Sequence, residues 1–309
     1  MSITPHTTKE FADGLNIAIT KYYDDAMLKH DDTDYVGILI KNQEPTDKKT
    51  DILSGMAGFG YAVELSEDGD IFYDMIKERY DHTITQGVWA LGFALTFELQ
   101  LFDYKKRTKL LPKLLVTSIK KTIQLLGHRP LNLGFSGLTY GDGKTLFAID
   151  HPNAPGIAGT FSNRAASGGT FAYSTLQSAI VGLKALTNDR GFPLDLTPDL
   201  VTIPQSLLFT GVEIGHPSAK EDPSTTQRAI NVIVAQYPNL KILPDPWKTS
   251  TTAWELWAKE RDPLTMLWRL KPDNKYGADE EKRRAWWTSA FCVATGVGDP
   301  RIAYGNPGA

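Results

Sequence analysis

The segment "DYKKRTKLLPKLLVTSIKKTIQLL", Asp103 to Leu126, restricts the fold more than any other stretch. Placed at about 100° per residue, Leu111, Leu115, Ile119, Thr122 and Leu126 share one side of a helix. Lys105, Lys106, Lys109, Lys113 and Lys120 fall on a neighbouring sector roughly 100° wide. Such a helix is on the order of 35 Å long, with one side to bury and a wet side of lysines. That basic stripe would face either a polyanion such as DNA or acidic patches on a neighbouring subunit. Pro112 lacks a backbone donor, which allows a kink or an earlier helix start.

The sequence on either side is mostly strand-like, so the chain reads as α+β with strands dominating. The first fifty residues read as an arm, in which a short helical pattern (Phe11, Leu15, Ile17, Ile19) precedes the polar linker "KNQEPTDKKTD". Next, "GFGYAVEL", the turn "SEDGD" and "IFYDMIKERY" form alternating runs around Asp-Gly, a hairpin signal, and "HTITQGVWALGFALTFELQL" continues them. This hairpin has little core of its own and is expected to lie on something else.

Beyond the long helix, Phe135 to Thr170 is glycine-rich and reads as short strands and loops. "STLQSAIVGLKALTNDRG" predicts a second helix, capped by Ser174, striped by Leu176, Ile180, Leu183 and Leu186, and ended by Gly191. "PDLVTIPQSLLFTGVEI" predicts a buried strand, a proline stop and a short helix. "INVIVAQYPNL", "AWELWAKE" and "TMLWRLK" read as strands, and "KRRAWWTSAFCVATGVGDPRIAYG" as a long final strand region.

Size and composition exclude several classes. A chain of 309 residues suits one large or two interleaved domains. No run of eighteen apolar residues is present, so no transmembrane helix is expected. The N-terminal residues lack the basic and apolar regions of a secretory signal. A net charge of −3 argues against a surface that grips nucleic acid throughout. The single Cys292 excludes an internal disulfide framework and a one-chain thiolate zinc site. His6, His30, His82, His128, His151 and His216 show no metal-binding spacing, so no metal or cofactor is expected.

Catalytic templates also fail. "GLTYGDGKT" resembles a phosphate-binding loop, but five residues rather than four separate Gly137 from Gly143. Thr145 opens "LFAIDHPNAP", where Pro152 and Pro155 forbid the helix such a loop needs, so a tight turn is expected. "GFSGL" has Leu138 where a nucleophile elbow needs glycine. "HDDTD" lacks the glycine and glutamate of a calcium loop. Asp150-His151 reads as structural, Cys292 as a small buried hydrophobe, and the tryptophans as core and subunit interface. No catalytic site is expected, and the chain is read as a non-enzyme.

The ordered block "LFAIDHPNAPG…FSNRAASGGTFAYSTLQSAIVGLKALTNDRGFPLDLTPDLVTIPQSLLFTGVEI" resembles the central part of Mu-like major head subunits of tailed bacteriophages. The resemblance extends upstream to "YDHTITQGVWALGFALTFELQLFDY" and downstream to "GDPRIAYGNPG", covering the chain from about Gly58 onward. It implies a Hong Kong 97-type major capsid fold. Residues 1–55 would be an N-terminal arm, 56–100 an extended hairpin loop and 101–169 a peripheral domain with a spine helix. Residues 170–271 would form an axial domain, and 272–309 strands returning to the periphery. It further implies a subunit of hexamers and pentamers in an icosahedral virion, assembled in the host cytoplasm around double-stranded DNA. Portal and decoration proteins would be partners. Some relatives begin with a charged helical scaffolding segment; none is seen here, so scaffolding is expected to be a separate protein. An encapsulin-type compartment, a tail tube or sheath subunit and a nucleotide hydrolase are the alternatives.

Overall fold

The computed structural model describes residues 8–29, 34–65, 69–96, 98–99, 102, 109–216, 220–221, 228–229, 231–259, 264–279 and 284–309. Helix α1 (Thr8–Leu28) and the short α2 (Tyr35–Leu39) lead into strand β1 (Asn42–Pro45). Strands β2 (Thr50–Leu53), β3 (Met56–Ala57), β4 (Lys77–Glu78), β5 (His82–Thr85) and β6 (Gly87–Thr96) follow. The long helix α3 spans Leu111–Asn132. After it come β7 (His151–Pro152), β8 (Thr160–Phe161), α4 (Tyr173–Lys184), β9 (Pro198–Pro204) and α5 (Leu208–Gly215). The remaining elements are β10 (Lys220–Glu221), β11 (Arg228–Ala229), α6 (Val232–Gln236), β12 (Lys241–Asp245), β13 (Trp254–Ala258), β14 (Leu264–Asp279), β15 (Arg284–Val297) and β16 (Ala303–Asn306).

Two four-stranded sheets organise the body. The first has the order β1-β14-β15-β6, with β14 and β15 forming a long antiparallel hairpin and β1 adding in parallel. The second has the order β12-β9-β13-β16. Its central strands β9 and β13 are buried along almost their whole length, which is why "LVTIP" and "WELWA" are nearly continuous apolar runs. Along β13, Trp254, Leu256 and Ala258 enter a core beneath α4, while Trp257 enters a separate core shared with α3 and the first sheet. One strand therefore walls off two cores. Helix α4 packs through Leu176, Ala179, Ile180 and Leu183.

The buried side of α3 follows the expected stripe, with Leu115, Val116 and Ile119 inside. It is described from Leu111, with Pro112 in the first turn, where the missing donor costs nothing, and residues 103–108 of the expected helix lie outside the described residues. Its far end reaches the second sheet, where Asn132 bonds to Trp247 and Thr249 and the fully buried His128 lies 2.9 Å from Asp245.

Other expectations are corrected by local chemistry. Ala172, not Ser174, occupies the α4 cap, its N–H donating to Thr175 Oγ1 at 2.9 Å. Gly191 closes a later turn at positive φ. "INVIVAQ" forms a helix rather than a strand because Asn231 caps it, accepting from the Val234 N–H. Residues 87–96 pair with β15, and β16 joins the second sheet against β13.

The arm is not a free limb in this chain. Ile19 packs with Leu95, Ala285 and Trp287, and Tyr23 is buried with its hydroxyl 2.6 Å from Ser289 Oγ. Tyr23→Phe should cost about 1 kcal/mol of unfolding free energy, because a buried partner loses its bond. Denaturant titration would check this.

Candidate assembly surface

The described residues 58–65 and 69–76 form the legs of an extended loop rooted in the two-residue β3–β4 ladder. The expected hairpin strands do not form among its described residues. Two alternating legs with no third strand or helix beneath them make a hairpin of only marginal stability. Phe59, Tyr61, Val63, Leu65, Phe72 and Met75 each keep more than half of their surface exposed, and Tyr73 is 83% exposed. A contiguous apolar surface of this kind marks a contact with another molecule. A smaller exposed apolar pair, Phe209 and Val212, lies on α5.

The root of the loop is held by two arginines. Arg190 donates to the Gly58 carbonyl (3.2 Å), the Met75 carbonyl (2.9 Å) and Asp74 Oδ1 (3.2 Å). Asp74 also accepts the Gly60 N–H at 2.7 Å. That bond and the Arg190 charge hold its carboxyl below the ordinary carboxylate value. Tyr61 meets Phe192 edge-on at 4.1 Å. One turn further, Arg79 bonds to Asp189 (2.6 Å) and to Asp299. Arg301 reaches the other oxygen of Asp189 (2.8 Å), and its guanidinium lies 3.7 Å from the Phe161 ring centroid.

Asp189 and Arg301 have only 2% and 4% of their side chains exposed. Burial pushes the Asp189 carboxyl up, but the charges of Arg301 and Arg79 outweigh it and hold it below its ordinary value. Three distant segments are thus tied at one point, which sets the direction in which the loop leaves the body.

The five lysines expected to form one stripe are placed differently from one another. Lys105 and Lys106 lie outside the described residues. Lys109 sits 6.0 Å from the Tyr22 ring centroid, a cation–π contact to α1. Lys120 donates to the carbonyls of Ala26 (2.9 Å) and Lys29 (2.5 Å), neutralising the negative end of α1. Lys113 is exposed.

The residues set aside as structural behave so. "TYGDGK" is a tight turn, with Gly143 at φ 76 and a Thr139–Thr145 bridge. His151 is fully buried and 2.6 Å from Asp142. Cys292 is buried. The "HDDTD" segment lies largely outside the described residues. Sequence reasoning missed Arg79, Asp189, Arg190 and Arg301. For Asp189, Arg190 and Arg301 the visible signal was charge set in turns, "NDRG" and "GDPR", between apolar runs; Arg79 carried none.

No family model matches the chain, and no curated protein matches it in sequence. Solved structures do. The capsid of Myoviridae Phage XM1 superposes with a TM-score of 0.52 at 13% identity, covering 88% of this chain and 90% of that one. The procapsid of bacteriophage JBD30 gives 0.51 at 15% identity, covering 97% of this chain and 76% of that one. The capsid of Cyanophage P-SCSP1u gives 0.53 at 8%, covering 87% and 86%. The chain has the Hong Kong 97-type capsid fold. Among the described residues, exposed apolar side chains gather between Phe59 and Ile76, and α3 exposes Lys113, Lys121 and Arg129.

Proposed function

We propose that this chain is the major capsid protein of a tailed bacteriophage, a structural subunit of the icosahedral head rather than an enzyme. The observation that carries the reading is the loop between β3 and β4, in which Phe59, Val63, Leu65, Phe72, Tyr73 and Met75 each keep more than half of their surface exposed. A soluble subunit gains from such a loop only if sister copies bury it. Closed symmetry then multiplies many modest contacts into a stable container. Hexamers and pentamers of the chain would enclose double-stranded DNA through non-specific contacts. Portal, decoration and separate scaffolding proteins would complete the virion after assembly in the host cytoplasm.

The order of motifs from Gly58 onward supports a Mu-like head subunit as the nearer relative. We assign residues 58–76 as the extended loop, the first sheet with α3 as the peripheral domain, and the second sheet with α4 and α5 as the axial domain. The N-terminal arm would begin with α1, seated on its own peripheral domain.

Electron microscopy of the expressed protein, alone and with its genomic neighbours, tests the reading. Closed icosahedral particles are expected. Rods would indicate a tail tube or sheath subunit, and particles that hold an enzyme but no nucleic acid an encapsulin-type compartment. A monodisperse monomer at high concentration would overturn the shell reading.

A further inference from the structure

Arg164 is a cation without a counter-ion. Its guanidinium lies 5.6 Å from the Phe135 ring centroid, and Phe135 is in turn stacked on Phe147. A flat cation resting on an aromatic ring is held in one orientation, with its N–H edge set for an acceptor. Among the described residues that acceptor is missing. Arg164 forms no ion pair there, and its Nε is shut off from solvent and donates to nothing. An N–H kept from water without an acceptor is unfavourable, so the placement gains only when an acceptor arrives.

The chain around Arg164 supplies none. Arg164 bridges to Gly305, and the Ala165 N–H donates to the Gly305 carbonyl at 2.9 Å. Gly305 has no room for a side chain, because the Phe147 and Phe135 rings close on it. Segments 133–141, 157–172 and 300–306 thus meet, and their charged residues are Arg164 and Arg301, with no acid among them. Arg301 is held by Asp189. Glu255, opposite Gly305 in the β13–β16 register, is held by Lys248, and Asp150 by Lys144. Ser136, Gly137, Ser162, Ala166 and Ser167 on these segments are exposed, small and uncharged, so another chain can come close.

DNA is the weaker occupant. A polyanion is gripped by several cations spaced along its phosphates, and these segments offer one. A single oriented guanidinium matches a single carboxylate, which accepts two parallel N–H bonds from its edge.

We propose that Arg164 is an intersubunit contact, its guanidinium taking an aspartate or glutamate carboxylate of a second copy across this rim of small residues. The proposal rests on the shell reading above and adds the place where one ion pair of that shell is made. Such a pair weakens as salt rises, and it favours the docking that brings the carboxylate to Arg164 over those that do not.

Charge reversal tests the contact. Arg164→Glu should reduce the yield of closed particles on the order of tenfold or more, since it sets two carboxylates face to face. The free subunit should keep its urea midpoint, because backbone groups make the bonds that tie this segment down. A wild-type yield would overturn the contact. So would a yield that falls only in step with the urea midpoint, which would make Arg164 a structural residue. Normal particles that package less DNA would overturn it too, and would give Arg164 to phosphate.

A second measurement separates this contact from the shell itself. Isotope-labelled Arg164→Lys chains, co-assembled as a minority with wild-type chains, carry an amine in place of the guanidinium. A water-soluble carbodiimide should join position 164 to an acidic residue of an unlabelled copy, read by mass spectrometry as a mixed-label peptide. Intact particles without that link sink the contact and leave the shell standing. Wild-type chains that never form particles sink both.

Discussion

Asp189→Ala is expected to lower the unfolding free energy of the subunit by about 3–5 kcal/mol, because it removes the buried carboxylate that two guanidinium groups share. Arg79 holds one oxygen and Arg301 the other, and the Ala154 N–H adds a third bond at 3.1 Å. Asp299→Ala should cost much less, since Asp299 is 20% exposed and Asp189 would still face both arginines. Urea titration of the two variants checks the contrast; equal losses would mean that Asp189 is not the hub.

The same carboxylate gives a pH signature. Its folded pKa is depressed, so its contribution is complete above the ordinary carboxylate value of about 4 and is lost as pH falls through the lower folded value. Acid should therefore loosen the root of the loop, and Asp189→Ala should flatten that part of the stability curve.

Glu255→Leu should be similarly costly, about 3–5 kcal/mol, for a different reason. Glu255 and Lys248 are an ion pair inside the second sheet, with side-chain exposures of 3% and 4%. The Lys248 ammonium also donates to the carbonyls of Thr202 and Ala253, each at 3.2 Å. Thr202 donates to the same glutamate oxygen at 2.6 Å and accepts from Trp257 Nε1 at 3.0 Å. Removing the acid alone leaves an ammonium in a dry site. Removing both, as Glu255→Leu with Lys248→Met, should recover most of the loss, because neither charge then remains to be desolvated. A thermodynamic cycle on the single and double variants reads the coupling directly. A double variant no more stable than Glu255→Leu would show that packing, not charge, sets the cost.

Elements buried on both faces were the most legible from sequence. β9 and β13 announce themselves as apolar runs because little in them meets water, and α4 by its leucine stripe. Where one side chain overrides a pattern, legibility fails. Asn231 turns "VIVAQ" into a helical turn although β-branched residues favour a strand. Pro112 reads ambiguously from sequence because proline is welcome in a first turn and costly only further in; it lies in the first described turn of α3.

The loop's apolar excess was readable as a hairpin without a core. Its anchorage was not, since Arg79 lies 110 residues from Asp189, and Asp189 lies 112 from Arg301. No local spacing carries such a meeting. Helical spacing does not show which lysines of the stripe find partners in their own chain: Lys120 reaches the end of α1 and Lys109 lies near the Tyr22 ring.

The five residues of β13 are lodged in two interiors at once, Trp254 and Leu256 in one and Trp257 in the other. Neither half of the subunit can melt while the other keeps its shape, because each would pull a tryptophan out of the other's wall. Outward pressure on one half passes to the second through that ribbon, so the molecule strains, and at last fails, as a single piece.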